Sequence, residues 1–122
     1  MDRILLVDDN PEIRELLGRL LEDWNYAVVT AASLAEARQA VLSNGPFKVV
    51  ICDFDLPDGN GLQFLAWLRC ERRDQGPFLL ISGSTDFDGG HPMDFSFLAK
   101  PFRMEELCRR LEELVPGKPQ VR

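Results

Sequence analysis

Short unbroken apolar runs punctuate the chain at Ile4 to Val7, Val49 to Cys52 and Phe78 to Ile81, with weaker ones at Ala27 to Val29 and Phe97 to Ala99. Runs of this length bounded by polar residues have the reach of strands, and their lack of alternation predicts strands covered on both faces. Between them the period changes. Ile13, Leu16, Leu17, Leu20, Leu21 and Trp24 recur at helical steps, which predicts a helix turning these positions to the core. Asn10 and Pro11 suit its cap and first residue. Ser33 with Glu36 predicts a capping box for a second helix that turns Leu34, Ala37 and Val41 inward and ends at Asn44-Gly45-Pro46. A third helix is predicted from about Gly61 to Arg69. A last one carries Met104, Leu107, Leu111 and Leu114 on one stripe and stops at Pro116-Gly117.

Strand and helix therefore alternate, which predicts an α/β fold with a doubly wound parallel sheet of five strands and right-handed crossovers. The stretch from Ser84 to Ser96 interrupts the alternation. It holds Gly89-Gly90 and His91-Pro92 without an apolar period, so a helix there is expected to be shortened or missing, and His91 reads as a loop residue. The expected organisation is one domain over 1–116 and a flexible tail over 117–122.

Composition narrows the function. A chain of 122 residues with 45% apolar and 28% charged content can enclose a core and is not a disordered segment. Fourteen Lys and Arg against twenty Asp and Glu leave a net charge of −6, which argues against direct nucleic-acid binding because a phosphate-binding footprint is missing. Cys52, Cys70 and Cys108 are odd in number and form no CxxC pair, which argues against a zinc site or disulfide framework and fits a reducing cytosol. Cys52 reads as a small buried hydrophobe. The run Ile4 to Val7, closed at once by Asp8 and Asp9, is too short for a signal peptide or membrane span, so a cytoplasmic protein with no membrane partner is expected.

In open α/β sheets function gathers at the carboxyl ends of the strands. Here the first strand ends in Asp8-Asp9, the third in Asp53, the fourth in Ser82 and the fifth in Lys100, while the second ends at Thr30-Ala31 without an ionisable group. If the second strand is an edge, the other ends converge. Carboxylates brought together repel and raise one another's pKa unless a cation sits among them, and oxygen ligands at an accessible rim suit Mg²⁺. The open positions of such a metal favour phosphate oxygens, a lysine adds a point charge and a serine a hydrogen-bond donor. An ionised aspartate there can act as a nucleophile and form an acyl phosphate. Taken singly, each residue has a simpler reading, an acidic helix N-terminus or a Lys-Pro turn. Their joint placement at the strand ends favours a site.

This pattern resembles the response-regulator receiver domain of two-component signalling over nearly the whole chain. Leu5-Leu6-Val7-Asp8-Asp9 is similar to the family's acidic pair, Asp53 to Gly61 (DFDLPDGNG) to its phosphoacceptor signature, Leu80-Ile81-Ser82 to its hydroxyl strand, and Lys100-Pro101-Phe102 to its lysine motif. The resemblance implies a flavodoxin-like strand order 2-1-3-4-5. It implies Asp53 as phosphoacceptor, Asp9 and Asp53 as direct Mg²⁺ ligands, Asp8 holding a metal-bound water and Asp55 offering its backbone carbonyl. Ser82 would hydrogen-bond the phosphoryl group and Lys100 would pair with it, across a cis peptide to Pro101. Phe97 falls at the family's aromatic switch position, with plain core packing an equal alternative. The implied donor is a histidine kinase or a histidine phosphotransfer domain, the implied output an unidentified downstream protein, and the implied chemistry no enzyme activity beyond the chain's own phosphorylation and dephosphorylation.

Departures accompany the matches. The span from Ser82 to Lys100 is shorter than in similar domains, and Arg103 stands where a capping Asp or Ser is common. Gly83 leaves the phosphoryl pocket open on one side. Asp53-Phe54-Asp55, Ser82 and Lys100 also resemble the motifs of small aspartate-nucleophile phosphatases of the haloacid-dehalogenase type, but there the acidic pair follows the lysine. A docking module without phosphorylation, and a receiver excised from a hybrid sensor kinase or a longer regulator, are further alternatives.

Overall fold

A computed structural model describes residues 2–83 and 95–115. In chain order the elements are β1 (Asp2–Val7), α1 (Pro11–Asp23), β2 (Tyr26–Ala31), α2 (Leu34–Asn44), β3 (Val49–Asp53), a hairpin of β4 (Asp55–Leu56) and β5 (Gly59–Asn60), α3 (Gly61–Cys70), β6 (Phe78–Ser82), β7 (Ser96–Ala99) and α4 (Met104–Leu114). The five longer strands form one parallel sheet in the order β2-β1-β3-β6-β7. With the hairpin set aside this is the expected 2-1-3-4-5 arrangement, and β2 is the edge whose end carries no ionisable group.

The sheet separates two apolar layers. Along β1, Leu5 and Val7 join the layer under α2 and α3, whereas Ile4 and Leu6 join the layer under α1 and α4. That is the two-residue period of a strand buried on both faces, and it explains why the run shows no polar alternation. Val49 and Ile51 against Val50 and Cys52 repeat the division in β3.

The helix starts follow their local signals. Asn10 Oδ1 accepts from the N–H groups of Glu12 and Ile13, with Pro11 at the first helical position. Ser33 Oγ accepts from Glu36 N–H, and the Glu36 carboxylate reaches back to Ala32 N–H. Asn60 and Gln63 form a reciprocal capping box on α3. Arg103 has no side-chain acceptor to offer at the start of α4, and Glu106 compensates in part by accepting from Arg103 N–H.

Two expectations are corrected. Leu16 is 56% exposed, because the inward stripe of α1 runs through Ile13, Leu17, Leu20 and Leu21 and a single sheet face covers no more than that width of a helix. Trp24 is buried but lies just past the helix as its C-cap, followed by Asn25 at φ 70°. The β4–β5 hairpin was not expected. The doubtful helix, His91 and the tail expected over 117–122 fall outside the described residues, apart from Phe95 and Ser96, which lead into and begin β7. Among the described residues no helix is long and apolar enough to cross a membrane.

Candidate functional site

Strand register builds the site. Val7 pairs with Cys52, Asp53 with Ile81, and Ser82 with Ala99, so the residues that close β1, β3, β6 and β7 stand side by side on the carboxyl edge of the sheet. Backbone bonds lock this edge: Phe54 N–H donates to Ile81 O at 2.8 Å, and Lys100 N–H to Ser82 O at 2.8 Å. The peptide between Lys100 and Pro101 is cis, as the resemblance implies.

Asp8, Asp9 and Asp53 bring one carboxylate oxygen each to within 4.8 Å of one another. Asp8 and Asp53 are buried and Asp9 is exposed. Asp8 is held by its neighbours in sequence: its Oδ1 accepts from Asn10 N–H at 2.9 Å, and its backbone carbonyl accepts from the Arg14 guanidinium at 2.8 Å. Lys100 Nζ lies 3.2 Å from Asp53 Oδ1. Ser82 is buried beside them. The carboxylate of Asp55 is exposed and does not join the group of three.

The electrostatics follow from this crowding. Burial pushes the Asp53 carboxyl above the usual carboxylate range, the charge of Asp8 adds to the rise, and Lys100 opposes it. Burial also raises Asp8, with the Asn10 N–H and Lys100 pulling the other way and Asp9 adding to the rise. Among the described residues, two buried acids near a third, with the Lys100 ammonium beside Asp53 and the Arg14 guanidinium beside Asp8, leave the group with more negative than positive charge. Asp53 Oδ1 is buried and, although ion-paired to Lys100, accepts no well-aligned hydrogen bond. Hard oxygen donors grouped at this spacing, with an under-satisfied buried oxygen among them, fit a divalent cation of the Mg²⁺ type.

Several supporting residues were not singled out as such in the sequence. Gly61 packs so tightly beneath the site that a Cβ there would lie 2.7 Å from Asp53 O, 2.7 Å from Leu80 Cδ1 and 3.2 Å from Cys52 Sγ. A glycine opening a helix just after a strand end is the signal that could have marked it. Cys52 itself is buried beneath Asp53, its thiol donating to Asp53 O at 3.2 Å, and burial pushes that thiol well up. Asp58, at the tip of the hairpin, bonds across to α2; nothing local in the sequence announces a contact over that separation. Phe97 is half-buried on β7 and packs against the layer under α2 and α3.

Comparison with known proteins agrees with the geometry. Residues 4–112 match the model of the response regulator receiver domain. The chain belongs to that family. It is 34% identical over 117 residues to the response regulator protein PilR of Pseudomonas aeruginosa, covering 93% of this chain and 25% of that protein. It is 34% identical over 119 residues to the transcriptional regulatory protein KdpE of Mycobacterium tuberculosis, covering 94% of this chain and 51% of that one. The chain thus spans a quarter to about half of the length of the curated relatives it matches. Among solved structures it resembles the response regulator TrrA of Thermotoga maritima in complex with Mg(2+)-BeF, at TM-score 0.82 and 30% identity over 94% of this chain and all of that one. It also resembles the receiver domain of the hybrid histidine kinase CckA, at TM-score 0.76 and 30% identity over 93% and 98% of the two chains.

Proposed function

We propose that the chain is the phosphoacceptor of a two-component phosphorelay, that Asp53 takes a phosphoryl group from a phosphohistidine donor in a Mg²⁺-dependent reaction, and that the change in charge alters partner contacts. The observation that carries this reading is the grouping of the Asp8, Asp9 and Asp53 carboxylates within 4.8 Å, with Lys100 Nζ 3.2 Å from Asp53.

An Asp53 carboxylate oxygen attacks phosphorus, the P–N bond to the donor ring breaks with its electron pair going to nitrogen, and the ring, already carrying a proton on its other nitrogen, leaves as neutral imidazole. In this reading Lys100 follows the negative charge from the carboxylate onto the phosphoryl oxygens, and the Ser82 hydroxyl donates to one of them. Asp9 and Asp53 would hold Mg²⁺ directly, Asp8 through water, and Asp55 through its carbonyl. A cation held by these residues would offset the negative charge of the carboxylates and of an incoming phosphoryl group. Hydrolysis of the acyl phosphate returns Asp53 and releases inorganic phosphate, so the chain catalyses its own modification and acts on no separate substrate. The identity of a relative solved with Mg(2+)-BeF supports the same metal and a phosphoryl-like group here.

The test is intact-mass measurement during incubation with acetyl phosphate and Mg²⁺. A gain of one phosphoryl group is expected, abolished by Asp53→Asn and by chelation. A folded protein that gains no mass from acetyl phosphate or phosphoramidate would overturn the assignment. Repeated release of phosphate from a supplied ester would make it a phosphatase instead.

A further inference from the structure

The loop leaving the phosphoacceptor does not run free. Phe54 N–H is tied to Ile81 O, Gly61 N–H returns to Phe54 O at 2.8 Å, and between them Asp55 pairs with Asn60 and Leu56 with Gly59. The base of the hairpin is therefore fixed to the sheet and its tip projects toward α2. There the Asp58 carboxylate spans the first turn of that helix: Oδ1 accepts from Leu34 N–H at 2.7 Å and Oδ2 from Ala35 N–H at 3.0 Å. Ser33 Oγ takes the next donor, Glu36 N–H, at 3.1 Å. The opening amides of α2 are thus divided between its own cap and a residue more than twenty positions away in sequence.

The tip is shaped for this reach. Gly59 has φ 150°, and a Cβ there would fall 2.5 Å from Leu34 Cδ1 and 2.2 Å from Gln63 Oε1. Leu56 and Leu34 belong to the same buried layer. Burial in that layer holds the hairpin down but is non-directional. The two oxygens of Asp58 on adjacent amides supply what it lacks, a fixed orientation, and the helix dipole favours the negative charge there.

Resting on the receiver reading above, we propose that Asp58 is a positioning residue for the metal side of the site: it clasps the hairpin to the N-terminus of α2 and so fixes the backbone at Asp55 for the cation. The bonds to Leu34 and Ala35 that hold Asp58 below the usual carboxylate range agree with a persistent contact. Because coupling between two sites is reciprocal, metal binding at the Asp53 end should in turn tighten the first turn of α2. Helix α2 would then report on the occupancy of the site although none of its residues touches it.

Two single substitutions in the full chain separate positioning from simple helix capping. Ser33→Ala and Asp58→Ala each remove an acceptor from the same helix start, and both are expected to lower the melting temperature. Titration of Mg²⁺ by calorimetry should then divide them. Asp58→Ala is expected to weaken Mg²⁺ binding about tenfold, the lower end of what loss of an outer-shell partner costs, and Ser33→Ala to leave it unchanged. Should Asp58→Ala fail to fold, Asp58→Asn, which keeps one of the two acceptor oxygens, carries the same comparison. In the unsubstituted protein, amide exchange at Leu34 and Ala35 is expected to slow when Mg²⁺ is added. Equal Mg²⁺ affinity in the Asp58 variants and the unsubstituted protein, or equal weakening by Ser33→Ala, would reduce Asp58 to a cap and overturn the proposal. An unsubstituted protein that binds no Mg²⁺ would instead remove the receiver reading and the proposal with it.

Discussion

Lys100 Nζ lies 3.2 Å from Asp53 Oδ1 across the carboxyl edge of the sheet, with the Asp53 side chain 7% exposed and that of Lys100 38% exposed. The lysine comes from the solvent side to a carboxylate that burial and Asp8 both push toward its protonated form. One ammonium is thus set against a local excess of negative charge, and the balance has a measurable pH dependence.

A carboxyl whose folded-state pKa is raised makes the native state bind protons more readily than the unfolded chain. Its contribution is full below the ordinary value of 3.8 and is lost as pH rises through the raised value. In metal-free protein, Asp53→Asn is therefore expected to be more stable than the unsubstituted chain at neutral pH, with the difference vanishing in acid. Lys100→Ala, which removes the opposing charge, should widen that difference when introduced beside Asp53. Denaturant unfolding of the variants across pH checks both; a difference independent of pH would mean that Asp53 is not ionised against its surroundings.

Magnesium should relieve the same repulsion. At a concentration a hundredfold above its dissociation constant a ligand contributes about 2.7 kcal/mol, roughly ten degrees in Tm for a domain of this size. Scanning calorimetry with and without chelator reads it directly. Asp53→Asn, which lowers the charge of the group, should show a smaller gain.

The glycine beneath the site has no room for a side chain. With Asp53 O and Leu80 Cδ1 each 2.7 Å from the place a Cβ would take, Gly61→Ala must displace either the acceptor backbone or the core. A loss of about 1–3 kcal/mol is expected from overpacking, together with slower phosphorylation by acetyl phosphate. An alanine variant with unchanged stability and rate would contradict the close approach.

Gly83 presents the opposite case. A Cβ added there meets nothing within 4 Å among the described residues, so Gly83→Val should fold normally. By narrowing the approach beside Ser82 it is expected to slow loss of the phosphoryl group from Asp53. The decay of phosphorylated protein, followed by intact mass after removal of the donor, checks this; an unchanged or faster decay would count against an open pocket at that position.

At the start of α4 the structure carries a correctable defect. Arg103 sits at the cap without an acceptor, leaving Glu106 to satisfy Arg103 N–H alone. Arg103→Ser is expected to stabilise the fold by about 0.5–2 kcal/mol. Thermal unfolding measures it, and no gain would show that water already satisfies the turn.

Much of this molecule was legible in the chain because the relevant physics is local. Apolar runs buried on both faces, the caps at Asn10 and Ser33 and the polar residues closing each strand are all short-range features. The resemblance of its motifs then supplied the strand order and the roles expected of Asp8, Asp9, Asp53, Asp55, Ser82 and Lys100. What periodicity misjudged was how wide a stripe the sheet would cover, and Leu16 lies outside it.

Tertiary structure decided the rest, because those contacts join residues that no local period relates. The exclusion of a side chain at Gly61 depends on how closely α3 approaches Asp53, Leu80 and Cys52. The three carboxylates become one group through the register of β1 against β3. The hold of Asp58 on Leu34 and Ala35 requires the hairpin and α2 to be packed already. The sequence by itself determined which residues could do the chemistry; the distances and charges that make them a site exist only once the sheet has brought the strand ends together.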